Sequence, residues 1–247
     1  MRILCLGDSI MQYNDWTSYP QTGWVQLLDR FFVPGTQILN FARNGRSTKS
    51  FISEGRFDQV VSQAQKGDFA LIQFAHNDEK KNDPDRYTSP EKGGEFRHNL
   101  TMFVKKLMEK GVKPLLLTPV TRRKFEGDVI VNSHGDYPEA IKETAGELNI
   151  PCMDLTKATM DYFEKAGEKG SRRFYMNFES GLYENFPEGK RDDSHLRPDG
   201  ASVVSRLFVS CLLKEKDKWS EYKALTDGIC VKGIYEDKEI DDEKLMW

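Results

Sequence analysis

Short apolar runs alternate with amphipathic ones along most of the chain. Residues 2–6, 37–41, 69–74, 114–117 and 151–154 have the length and near-continuous apolar character of buried strands. Between them, residues 23–32, 55–65, 94–110 and 138–148 read as helices. Residues 201–214 add a last long helix, in which Val203, Val204, Leu207, Phe208, Cys211 and Leu212 recur at i, i+3 and i+4. That spacing gives one apolar stripe, suited to packing on a sheet. The alternation predicts an α/β fold, a three-layer α/β/α sandwich around a five-stranded parallel sheet. The expected strand order is the flavodoxin-like 2-1-3-4-5, with right-handed crossovers.

Composition narrows this picture without redirecting it. At 247 residues the chain can bury one substantial core. The reading is one domain over residues 1–247, with 219–247 as a C-terminal extension. Glu236 to Lys244 is strongly charged and reads as a solvated tail or an edge-packed segment. A net charge of −3 argues against a nucleic-acid partner, whose phosphates call for a basic surface. No apolar run approaches the ~18 residues that span a bilayer, so no membrane partner is expected. The first strand is expected to begin at the N-terminus, with no signal peptide before it. The expectation is a cytoplasmic protein, or a secreted one if Met1 was added to a processed chain. Cys5, Cys152, Cys211 and Cys230 show neither metal spacing nor a disulfide pattern, and Cys5 and Cys152 read as buried thiols in strands. No obligate protein partner is implied.

Candidate chemistry comes from where the strands end. In open parallel sheets, ligands bind beyond the carboxyl ends of the strands. The first run ends at Gly7-Asp8-Ser9, the second at Arg43-Asn44-Gly45-Arg46, the third at Ala75-His76-Asn77-Asp78, and the fourth at Thr118 to Lys124. Taken singly, each has a plain reading as a turn or cap. Together they would place polar groups on one rim. A serine nucleophile needs a base, and the base needs an orienting group. His195 follows Asp192 by three residues, in what reads as a loop before the last helix, so one loop can present imidazole and carboxylate together. His98 falls in a helical pattern, and His76 stands beside Asn77, which is the better placed hydrogen-bond donor. The backbone N–H groups of Ser9 and Gly45 and the Asn77 amide would suffice as donors to an oxyanion.

The ordered set Gly7-Asp8-Ser9, Asn44-Gly45, Asn77-Asp78 and Asp192…His195 resembles the four blocks of the GDSL, or SGNH, hydrolases. The resemblance implies that Ser9 attacks, His195 serves as base and then acid, and Asp192 orients His195. It assigns the oxyanion hole to Ser9, Gly45 and Asn77. Within the family the chain is most similar to rhamnogalacturonan acetylesterases, through Gln73 to Asp78, Thr118 to Phe125 and Asn132 to Pro138. The expected activity is removal of O-acetyl groups from pectic oligosaccharides, with no cofactor and no metal. Deacetylation of xylan, or of short acyl esters in general, is the alternative, and a non-catalytic carbohydrate-binding protein is a further one. Arg46, His76, Arg122 and Arg123, with Lys124, stand on the rim and would suit galacturonate carboxylates, or else form a solvated charge cluster. Trp16, Tyr19 and Tyr137 would stack on sugar rings, or else pack in loops and core. One departure from the family is Ala75, where the third block usually begins with glycine.

Overall fold

A computed structural model describes residues 1–230. The charged segment from Glu236 to Lys244 lies outside the described residues. The central sheet is formed by β1 (Arg2–Gly7), β2 (Gln37–Asn40), β3 (Phe69–Gln73), β4 (Lys113–Leu117) and a later strand, β7 (Cys152–Met153). They are parallel throughout, in the order β2-β1-β3-β4-β7, which is the predicted order.

Side chains alternate across these strands, and each face has its own core. Ile3, Cys5, Phe69, Leu71, Leu115 and Leu117 point to one side. Leu4, Leu6, Ala70, Ile72 and Leu116 point to the other. This two-sided burial explains why the runs are apolar without a break. The first face is covered by the 3₁₀ helix Trp24–Phe31, by α5 (Leu155–Ser171) and by α6 (Pro198–Lys214). The second is covered by α1 (Thr48–Ser53), α2 (Arg56–Gln63), α3 (Glu95–Glu109) and α4 (Tyr137–Glu147).

Several elements depart from expectation. The helix expected at 55–65 is α2, and a further short helix, α1, precedes it, the two divided at Gly55, whose φ of 67° is left-handed and breaks the helical path. The segment expected as a helix at 23–32 is 3₁₀. Helix α5, capped by the Asp154 side chain on the Lys157 N–H, was not expected, nor were two small antiparallel pairs. These are β5 (Phe125–Glu126) with β6 (Val129–Ile130), and β8 (Tyr175–Phe178) with β9 (Lys190–Leu196). Strand β9 carries Asp192 and His195, so the expected loop before α6 is a strand of a peripheral hairpin. Beyond Trp219, a short helix α7 (Lys223–Asp227) closes the described chain. Tyr222 and Leu225 are buried on the first core, so this part of the extension is packed.

Candidate active site

The turn after β1 is built by Asp8. Its carbonyl accepts from the N–H groups of Met11 and Gln12, and its Oδ1 accepts from the Ile10 N–H. Gly7 has no room for a side chain, because a Cβ there would stand 2.7 Å from the Gln73 carbonyl oxygen on β3. This tight passage brings Ser9 to the carboxyl end of the sheet, nearly buried.

From the far end of the chain, His195 Nε2 stands 3.0 Å from Ser9 Oγ, and His195 Nδ1 stands 2.8 Å from Asp192 Oδ2. The carboxylate is acceptor-only when ionised, so Nδ1 carries the proton. In the neutral ring Nε2 is then free to accept the serine hydrogen. Asp192 is itself fixed, since its Oδ1 accepts from the backbone N–H groups of Ser194 and His195. Burial pushes the Asp192 pKa up, but the ring hydrogen bond, the His195 charge and those two N–H bonds outweigh burial and hold it well below the ordinary range. The group therefore stays ionised beside its histidine.

Gly45 lies in a turn closed by the Arg46 N–H on the Arg43 carbonyl, and its φ of 77° is one that favours glycine. Asn77 Nδ2 donates to the Arg46 carbonyl at 3.1 Å, which ties the second and third blocks together. An amide nitrogen carries two hydrogens, and the Arg46 carbonyl takes one of them. Asn77 Oδ1 accepts from Lys80 Nζ at 2.9 Å. The Arg86 guanidinium lies over Gly45, 3.7 Å from where a Cβ would stand. Lys80 and Arg86 were not singled out in the sequence, because nothing in a run of surface-type charges marks which of them fold back onto the rim.

Two carboxyl groups below the rim are fully enclosed. Burial pushes the Asp8 pKa up to about 6, against the Ile10 N–H and the charges of His195 and Arg122. Burial pushes the Asp78 pKa up to about 7, against hydrogen bonds from Thr48 and Thr88. Asp78 Oδ1 takes the Thr48 N–H and both threonine hydroxyls, while its Oδ2 and that of Asp8 have no partner. Asp8 thus holds the turn, the role its position suggests.

The rim cations expected to meet substrate are paired within the chain. Arg46 Nε reaches both Glu54 oxygens at 3.0 Å. Arg123 bonds Asp193 at 2.8 Å and the Glu168 carbonyl at 2.9 Å, with only 9% of its side chain exposed. Arg122 donates to Ser194 Oγ at 3.0 Å, to Glu79 and toward Ser133 and His134. His76 is buried, not presented at the rim: its ring and that of His134 both donate Nε2–H to the Val120 carbonyl. Burial, with His134 and Arg122 beside it, lowers the His76 pKa well below the usual value. Tyr137 is also interior, its hydroxyl on the Asp78 and Thr88 carbonyls, so it offers no face for stacking. Trp16 and Tyr19 remain exposed.

Comparison with known proteins bears on this arrangement. The model of the GDSL-like lipase/acylhydrolase family matches residues 5–179. The rhamnogalacturonan acetylesterase RhgT of Bacillus subtilis is 34% identical over 210 residues, 85% of this chain and 88% of that protein. Among solved structures, protein YXIM from Bacillus subtilis superposes with a TM-score of 0.71 at 23% identity, over 86% of this chain. The match spans 56% of that longer structure. The acetylxylan esterase Axe2 of Geobacillus stearothermophilus gives a TM-score of 0.62 at 16% identity, over 85% of this chain and 93% of the other. At these low identities the two structural likenesses speak to the fold.

Proposed function

The chain belongs to the GDSL-like lipase/acylhydrolase family, and on that premise we propose that it removes O-acetyl groups from rhamnogalacturonan-type pectic oligosaccharides. Its coarser class follows from the family and its relatives: it is a serine carboxylic ester hydrolase of the carbohydrate-esterase kind. The observation that carries the mechanism is the continuous contact from Ser9 Oγ through the His195 ring to Asp192.

In the proposed reaction His195 Nε2 takes the Ser9 proton as Oγ attacks the acetyl carbonyl. Asp192 holds the ring in the required tautomer and offsets the charge of the imidazolium that forms. The oxyanion is received by the Ser9 and Gly45 N–H groups and by the second hydrogen of Asn77 Nδ2. Lys80 on Asn77 Oδ1 polarises that amide toward donation. His195 then returns its proton to the departing sugar hydroxyl. Water, activated by the same ring, cleaves the acetyl-serine. The 34% likeness to RhgT supports the pectic substrate, and Lys80 and the half-exposed Arg86, whose Nε pairs with Asp83 at 3.1 Å while its other nitrogens face Gly45, suit a substrate that carries carboxylates.

The test is acetate release from acetylated rhamnogalacturonan fragments, acetylated xylan and an aryl acetate, with and without Ser9→Ala. The substitution is expected to cut every rate by a factor on the order of 10⁴ or more. Undiminished release by the variant would overturn the mechanism. Faster release from xylan than from rhamnogalacturonan would overturn the substrate while leaving the mechanism intact.

A further inference from the structure

A groove of about 480 Å³ opens between the segment that follows Ser9 and the tip of the β8–β9 hairpin. Its place relative to the chemistry is fixed at two points. On one side Thr22, a lining residue, donates its N–H to the carbonyl of Leu196, next to His195. On the other, Asn14 meets the Asn44 amide, next to Gly45. The groove's walls therefore contact the chain neighbours of the base and of Gly45, one of the candidate oxyanion donors.

Its chemistry differs from that of the rest of the rim. Trp16 is 79% exposed and Tyr19 51% exposed, more than is usual for aromatic rings. Tyr19 meets Tyr183 edge-on at 5.7 Å, and Asn185 donates to the carbonyls of both Trp16 and Tyr19. These contacts hold the two walls at a set separation. Asp15 and Glu184 line the groove, and none of its lining residues is a lysine or arginine. Ionised carboxylates accept hydrogen bonds from hydroxyl groups and repel other carboxylates. The cations Arg86 and Lys80 stand by Gly45 and Asn77 instead.

We infer that this groove is a binding subsite for an uncharged sugar ring, stacked on Trp16 and Tyr19 and hydrogen-bonded by Asp15 and Glu184. The inference rests on the carbohydrate-esterase reading and sharpens it. An oligosaccharide of alternating uronate and neutral rings would lay a carboxylate toward Arg86 and Lys80 and a neutral ring in the groove. A uniformly uronate chain would set a carboxylate against Asp15 and Glu184.

The test is calorimetric titration of the Ser9→Ala protein with a rhamnogalacturonan tetrasaccharide and with tetragalacturonate. Adding Trp16→Ala is expected to weaken the first at least about tenfold, as loss of an aromatic anchor does. Adding Asp15→Asn with Glu184→Gln is expected to tighten tetragalacturonate several-fold. No binding of the rhamnogalacturonan probe, or binding indifferent to Trp16, overturns the inference. Acetate release by the unsubstituted enzyme is measured in parallel. Trp16-dependent binding without acetate release would sink the proposed reaction and keep the groove. Release with a KM indifferent to Trp16→Ala would do the reverse.

Discussion

Ser9 and His195 meet across a 3.0 Å contact, yet the two sides of that contact are held by different means. Ser9, Gly45 and Asn77 follow the ends of β1, β2 and β3, whose side chains fill both cores. Beneath them lie the enclosed carboxyl groups of Asp8 and Asp78. Asp192 and His195 sit instead on a hairpin outside the central sheet, in which β8 and Leu196 are buried against the first core while the part of β9 that carries the pair is fastened by polar contacts. Asn177 and Arg123 hold Asp193, and Arg122 holds Ser194. The nucleophile's side is set by burial, and on the base's side charged hydrogen bonds position a segment whose partner strand is buried. The contrast teaches that the two sides should fail under different conditions.

The largest expected difference is in their response to pH. A carboxyl group whose pKa rises on folding binds its proton more tightly in the folded state, so its contribution favours folding at low pH. For Asp8 and Asp78 that contribution is lost as the pH climbs from about 4 through about 6 and about 7. At 1.36 kcal/mol per unit, the loss is on the order of 3 to 4 kcal/mol for each group. Asp192 has the opposite sign: its pKa falls on folding, so its stabilisation is present above about pH 4 and lost as the pH drops below that. Urea midpoints at pH 5 and pH 8 measure the first effect. The protein should be less stable at pH 8, and because Asp78 titrates about one pH unit above Asp8, Asp78→Asn should remove roughly two-thirds of the difference between pH 5 and pH 8. An asparagine Oδ1 still accepts from Thr48 and Thr88, so the variant keeps those bonds. An unchanged slope in Asp78→Asn would break the contrast at its buried end.

How far the sequence foretold these two sides follows the same division. The sheet side was legible because strands buried on both faces must be apolar throughout, as Ile3 to Leu6 and Phe69 to Ile72 are. Their ends then stand out as polar breaks. The hairpin side was legible only as the pair Asp192 and His195. Lys190 to Leu196 is polar up to its last residue and shows no apolar alternation, so its strand character comes from pairing with Tyr175–Phe178. The rim arginines show the same limit. Spacing places Arg46, Arg122 and Arg123 near the site, but not that Glu54, Glu79 and Asp193 fold onto them.

A smaller effect is expected at the polar clamp. Arg122 joins Glu79, two residues beyond Asn77, to Ser194, between Asp192 and His195. Removing one partner of a largely buried pair leaves the other unpaired, which costs about 3 to 5 kcal/mol when burial is complete. Arg122 and Glu79 keep 23% and 17% side-chain exposure, so about 2 kcal/mol is expected for Arg122→Ala. Because the loss loosens the strand that presents His195, kcat should fall about tenfold with KM little altered. Steady-state kinetics on a uronate oligosaccharide acetate and on an aryl acetate decide the matter. A rise in KM confined to the uronate substrate would make Arg122 a substrate contact, and the clamp would no longer explain how the hairpin is held.

The smallest effect is expected inside the sheet side, at Ala75. Its φ of 153° lies where glycine is favoured and where the family's third block usually has one. Relief of such strain is worth about 1 to 3 kcal/mol. Ala75→Gly also gives up a fully buried methyl group, worth about 0.8 kcal/mol. It frees the unfolded chain by about 0.4 to 1 kcal/mol more. The gain and the two losses nearly cancel, so thermal unfolding should show a change within about 1 kcal/mol. The bond from the Glu79 N–H to the Ala75 carbonyl does not involve the side chain and should persist. Asn77 is then left in place and kcat should change less than about twofold. A larger gain in kcat would mean that the Ala75 methyl displaces Asn77. The apolar core would then not be sufficient to set the oxyanion donors, and the division between a sheet-held nucleophile and a polar-held base would have to be redrawn at this residue.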